Sequence, residues 1–67
     1  MITVNVNNQS HSFEGSLNLE ELLSVLSMTS RGVAIAVDEE IITRSLWQKY
    51  RLADGNNVVI IQATQGG

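Results

Sequence analysis

At the start of the chain every second residue is apolar: Ile2, Val4 and Val6 alternate with Thr3 and Asn5. That period belongs to a strand with one face buried. Asn7 and Asn8 follow at once, and asparagine tolerates positive φ better than any residue except glycine, so a tight hairpin turn is predicted, leading into a second strand over Gln9–Phe13. Gly15 breaks the pattern, and a helical period begins near Asn18. Asn18 and Glu21 have the spacing of a capping box. Leu17 and Leu22 stand where a hydrophobic staple would, and Leu19, Leu22, Leu23 and Leu26 fall on one stripe. The helix is expected to end at residues 28–31, with Gly32 taking the left-handed conformation that closes it.

Beyond Gly32 the alternation returns. Val33, Ile35 and Val37 sit against Ala34 and Ala36, Asp38 and Glu39 turn the chain, and a short strand is expected at residues 40–43. Residues 45–50 lack period two and read as a helical or 3₁₀ turn. A further turn at Asp54, Gly55, Asn56 and Asn57 precedes a last strand at residues 58–63. The order strand, strand, helix, strand, strand, strand predicts an α+β fold, a mixed sheet of four to five strands packed on one main helix. Residues 1–63 form the expected domain and residues 64–67 a mobile tail with no large apolar side chain to anchor it.

Composition narrows the function. The chain has 67 residues, below half of the roughly 150 that serve as a prior for one domain. It buries too little surface for the deep pocket of most small-molecule enzymes. With no cysteine, disulfides, thiolate zinc sites and cysteine nucleophiles are excluded. Residues 1–8 lack the features of a secretion signal, and no apolar run approaches the ~20 residues of a membrane span, so a cytoplasmic address is expected. Seven acidic residues against four basic ones disfavour nucleic acid and anionic membranes as partners and favour a basic protein.

Catalytic constellations are missing. His11 is the single histidine, which rules out a multi-histidine metal site, and its polar strand makes it an ordinary surface residue. Asp38, Glu39 and Glu40 lack calcium-loop spacing and read as a solvated turn, so no metal is expected. Glu20 and Glu21 suit the first helical turn. Trp47 and Tyr50 are expected to plug the end of the core, and Arg44 and Arg51 to lie on the surface around them.

Gly66 and Gly67 close the chain. Glycine is about 7% of residues, so a pair at two chosen positions arises by chance in roughly half a percent of sequences. Residues without Cβ pass and turn in a channel where any side chain would clash. An extension from Ala63 to Gly67 reaches about 15 Å, enough to enter a partner's cleft. The terminal carboxylate is a poor electrophile until an acyl-adenylate gives it a leaving group. A chain without thiols must then receive any sulfur on that carbonyl from outside, which points to a thiocarboxylate.

These residues resemble a known family, the small β-grasp (ubiquitin-like) sulfur carriers, and among them the ThiS type of thiamine thiazole synthesis. The resemblance spans the chain: the hairpin, the leucine-rich helix, Gly32 to Val37, Glu40 to Trp47 with Arg44 inside it, Leu52-Ala53-Asp54-Gly55 and the closing Gln65-Gly66-Gly67. It implies a non-enzymatic carrier that binds no cofactor itself. A ThiF-type adenylating enzyme would use ATP on Gly67 with Gln65 and Gly66 threaded into it, a sulfur donor protein would supply a persulfide sulfur, and a ThiG-type thiazole synthase would receive it. Asp38-Glu39 stands where relatives often carry Asn-Gly, which predicts a longer or differently shaped turn. Two alternatives stay open: a molybdopterin-synthase small subunit, and a β-grasp interaction module whose glycine end is inert.

One expectation comes from the residues alone. Val58, Val59, Ile60 and Ile61 put branched side chains on both faces of the last strand, while one helix covers only one face. Val59 and Ile61, with Arg44, are the candidate partner-binding surface, against the alternative that β-propensity alone explains them.

Overall fold

A computed structural model describes residues 1–28 and 31–62. Its elements run β1 (Ile2–Val6), β2 (Gln9–Phe13), α1 (Leu19–Val25), β3 (Val33–Val37), β4 (Glu40–Ile42), a 3₁₀ turn at Arg44–Leu46, and β5 (Asn57–Gln62). The five strands make one mixed sheet in the order β2-β1-β5-β3-β4. The central pair β1 and β5 is parallel, and every other pair is antiparallel. The predicted order of elements holds throughout, and the expected last residue of β5, Ala63, lies outside the described residues.

The alternating residues do what their period requires. Val4, Val6, Ile35, Val37, Ile42, Val58 and Ile60 project from one face of the sheet and are buried together with Leu19, Leu22 and Leu23 of α1. Leu17, Leu52 and Trp47 close the ends of this core. Helix α1 starts on the expected capping box: the Asn18 side chain accepts from the Glu21 N–H at 2.7 Å, and the Glu21 carboxylate accepts from the Asn18 N–H at 2.8 Å.

The helix ends earlier than predicted. Its last residue is Val25, and Ser27, not Gly32, takes the left-handed conformation at φ 59°. The Met28 N–H donates to Leu23 O at 2.9 Å and the Ser27 N–H to Ser24 O at 3.1 Å, the two bonds of a Schellman closure. Met28 packs partly buried against the core, so the apolar contact that accompanies such a closure outweighs the cost of a left-handed serine. Gly32 also has positive φ, 69°, but uses it to enter β3.

The turn after β3 is a second correction. Val37 pairs with Glu40, so Asp38 and Glu39 form a two-residue hairpin turn, with φ of 51° and 72°. That is the short primed turn favoured by Asn-Gly, held by an aspartate that tolerates it and a glutamate ill suited to it rather than lengthened. Asp38 offsets the strain. Its carboxylate accepts from the Asn57 N–H at 2.9 Å and from the Asn56 side-chain amide at 2.8 Å.

Candidate functional site

Two regions of the molecule bear on function: the surface of the sheet away from α1, and the end of β5 from which the terminal segment departs. Because paired residues share a face, the register assigns the open surface directly. On the hairpin half it carries Thr3, Asn5, Ser10 and Ser12, with the Thr3 and Ser12 hydroxyls 3.5 Å apart. On the other half it carries Val59 and Ile61 of β5, Ala34 and Ala36 of β3, and Ile41 of β4. Val59, Ala36 and Ile41 form one row across three strands, and Ile61 and Ala34 form the next. Ile41 is 75% exposed, Ile61 60% and Val59 39%.

Val59 and Ile61 therefore do lie together on the uncovered face. Arg44 does not join them. It follows β4, and its guanidinium sits over the Trp47 ring, 5.7 Å from the centroid, at the rim of the core side. Ile41 belongs to the patch although the sequence reading missed it. The signal was available: Ile41 and Ile42 are adjacent on a strand, so one of them must face away from the core.

Trp47 is 1% exposed and donates its indole N–H to Ile42 O at 3.0 Å, while Tyr50 is half-buried. The pair closes the core as expected. His11 is less exposed than anticipated: it is half-buried, with its ring stacked on Phe13 at 6.3 Å. Among the described residues no cluster of histidine and carboxylate side chains could hold a metal ion, and no helix is long and apolar enough to cross a membrane.

At the other region, β5 is fastened from both sides. Its beginning is held by Asp38 and by the turn before it, where Asp54 accepts from the Thr3 N–H at 2.7 Å and the Gly55 N–H donates to Thr3 O at 2.8 Å. Gly55 sits at φ 92°, which a side chain would strain. Nearer its end, Ile60 is gripped by the Asn7 amide, which accepts from the Ile60 N–H at 2.8 Å and donates to Ile60 O at 3.2 Å. Gln65, Gly66 and Gly67 lie outside the described residues.

The ThiS family model matches residues 4–67, nearly the whole chain and through the terminal glycines. The chain belongs to the ThiS family. It is similar to the sulfur carrier protein ThiS of Escherichia coli K12, at 28% identity over 61 residues that cover 91% of this chain and 92% of that one. It also resembles the crystal structure of the thiamine biosynthesis protein ThiS from Geobacter metallireducens, with a TM-score of 0.83 and 28% identity, covering 98% of this chain and all of the other. The solution structure of a thiamine biosynthesis protein from the same organism matches with a TM-score of 0.80 and 28% identity, covering 98% of this chain and 88% of that one. The β-grasp expectation is thereby met: a five-stranded mixed sheet around one helix is the architecture this ThiS family member shares with the Geobacter protein.

Proposed function

We infer that this chain is a sulfur carrier of thiamine biosynthesis whose working atom is the terminal carbonyl carbon of Gly67. One observation carries the reading: the family match runs to residue 67, so Gly66 and Gly67 fall inside it. A chance glycine end on an unrelated small fold would not extend a family match to its last residue. The chain acts as a carrier and not as a catalyst. Its folded body is a handle by which other enzymes hold the reactive end.

The chemistry is the one that membership of the ThiS family implies, and with no cysteine in the chain the sulfur has to be brought to Gly67 by another protein. A carboxylate oxygen of Gly67 attacks the α-phosphorus of ATP held by a ThiF-type adenylating enzyme, and pyrophosphate leaves. The acyl-adenylate is then open to a sulfur nucleophile. A persulfide sulfur on a donor protein displaces AMP, and a thiol reductant cleaves the S–S bond to leave a thiocarboxylate on Gly67. A ThiG-type thiazole synthase consumes that sulfur. Gly66 and Gln65 thread into the partner, where the missing Cβ at position 66 lets the backbone pass. The dependence on ATP and on a reductant fits a cytoplasmic setting.

Val59 and Ile61, with Ile41, supply the docking surface for the adenylating enzyme. The apolar half of an otherwise polar open face supports this role, since contiguous exposed apolar patches on small soluble domains mark interaction sites.

The test is intact-mass measurement of the carrier after incubation with an adenylating enzyme, ATP, a persulfide donor and a thiol reductant. A gain equal to the replacement of one oxygen by sulfur is expected. No gain overturns the reading, and a conjugate with another protein would make the chain a modifier instead.

A further inference from the structure

We infer that Asn7 is a positioning residue for the terminal segment: its side-chain amide acts as the missing rung of the sheet and fixes the direction in which the chain leaves β5. This rests on the carrier reading above, because the direction matters only if the end of the chain must enter a partner.

The need for such a rung follows from the strand lengths. β1 pairs with β5 only at Asn5↔Asn57 and Val6↔Val58, whereas β5 continues to Gln62. After Val6 the hairpin turns away, and the parallel ladder loses its template. β3 still supports β5 from the other side, through Ala36↔Val59, Ala34↔Ile61 and Val33↔Gln62. In a strand, alternate residues direct their N–H and C=O to opposite neighbours. Val58 faces β1, where its carbonyl accepts from the Asn7 N–H at 2.9 Å, so Ile60 faces the same way, toward a strand that has ended.

Asn7 fills that place. Its side-chain oxygen accepts from the Ile60 N–H at 2.8 Å and its side-chain nitrogen donates to Ile60 O at 3.2 Å. A primary amide has a carbonyl oxygen and two N–H donors, one of them on the same side as the oxygen, so one side chain satisfies both groups of Ile60. Ile60 is the last buried residue of β5. Only Ile61 and Gln62 separate it from residue 63. The clamp therefore acts three residues before Ala63, the first residue of the segment that the carrier reading sends toward ATP.

Asn7 has a second task, which the test must separate from the first. Its φ is 50°, as the hairpin turn requires. Asn7→Gly keeps the turn and removes the amide, while Asn8→Gly keeps the amide and alters the same turn at φ 68°. The measurements are hydrogen exchange at the Ile60 N–H and the kinetics of pyrophosphate release with an ATP-using adenylating enzyme, the full chain serving as varied substrate. Asn7→Gly is expected to speed Ile60 exchange by at least about tenfold, since the Ile60 N–H loses the Asn7 oxygen that accepts from it. Its kcat should fall by about tenfold with KM nearly unchanged, because the open face still docks while fewer docked molecules present the terminus correctly. Asn8→Gly should leave kcat, KM and Ile60 exchange at wild-type values. Wild-type kcat in Asn7→Gly, or an equal loss in Asn8→Gly, overturns the proposal. Failure of the wild-type chain to release pyrophosphate sinks the carrier reading and this role with it, and is distinguished by needing no variant.

Discussion

Asp38 and Asn57 bind each other reciprocally: the Asp38 N–H donates to Asn57 O at 2.8 Å, and the Asn57 N–H donates to the Asp38 carboxylate at 2.9 Å. A side-chain oxygen thus serves as a strand carbonyl at the start of β5, as the Asn7 amide serves near its end. Both clamps sit on hairpin-turn residues with positive φ. Asp38→Asn keeps an acceptor and the tolerance for that conformation, and should change stability by less than about 1 kcal/mol. Asp38→Ala loses both and should cost roughly 2 kcal/mol. Urea unfolding of the two variants checks the difference, and equal costs would mean that the carboxylate contributes nothing there.

Glu39 carries the strain that no contact offsets so clearly. It lies at φ 72°, a conformation that glycine adopts freely. Glu39→Gly should stabilise the fold by about 0.5–1 kcal/mol, raising Tm by several degrees in a domain of this size. A fall in Tm would show that the turn is not strained.

The Trp47 indole N–H and the carbonyl of Ile42 make a buried side-chain to backbone bond at the end of the core. Trp47→Phe keeps an aromatic ring but removes that bond and leaves space, so a loss of roughly 1–3 kcal/mol is expected in chemical denaturation. The Arg44 guanidinium over the ring adds a contact that a phenyl face holds less well.

Much of this architecture was legible because its signals are periodic and local. The alternation in β1 and β3 and the Asn18-Glu21 capping box each depend on residues within a few positions, and each was found where expected. The end of α1 was misplaced because glycine at 32 looked like the obvious stop, while the actual closure uses Ser27 and pays its strain from the packing of Met28. The Asp38-Glu39 turn was expected to be longer or differently shaped because its compensating partners, Asn56 and Asn57, lie eighteen and nineteen residues away. Asn7 was read correctly as a turn residue, but its grip on Ile60 spans fifty-three positions and has no local signature. Of the candidate site, the Val59 and Ile61 face was visible in the all-branched run of β5, and Ile41 joined it only through strand register.

The terminal glycine pair should behave independently of the core. The buried cluster of the described residues runs from Val4 to Ile60, and a glycine has no side chain to add to it. Gly66→Val is expected to leave Tm unchanged and to slow sulfur loading by at least about tenfold, because a branched side chain blocks a channel shaped for bare backbone. Loading rate by intact mass against time decides it, and normal loading would remove the steric role of Gly66.

The open face makes the sharpest contrast within one surface. Ile61→Asp and Ile41→Asp place a charge in the apolar half, whereas Thr3→Glu places one in the hydroxyl-lined half of the same face. All three positions are exposed, so each variant should fold, with stability changed by less than about 1 kcal/mol. If the adenylating enzyme docks on the apolar half, burying the new carboxylate without a partner should weaken its affinity by at least about tenfold for the first two variants and leave Thr3→Glu near wild type. The overall negative charge of the carrier, −3, predicts in addition that association slows with added salt, because a basic partner surface steers it at long range. Calorimetric titration of the three variants at two ionic strengths separates the contributions. Uniform weakening would assign the effect to net charge alone, and unchanged affinity in Ile61→Asp and Ile41→Asp would move the docking surface elsewhere.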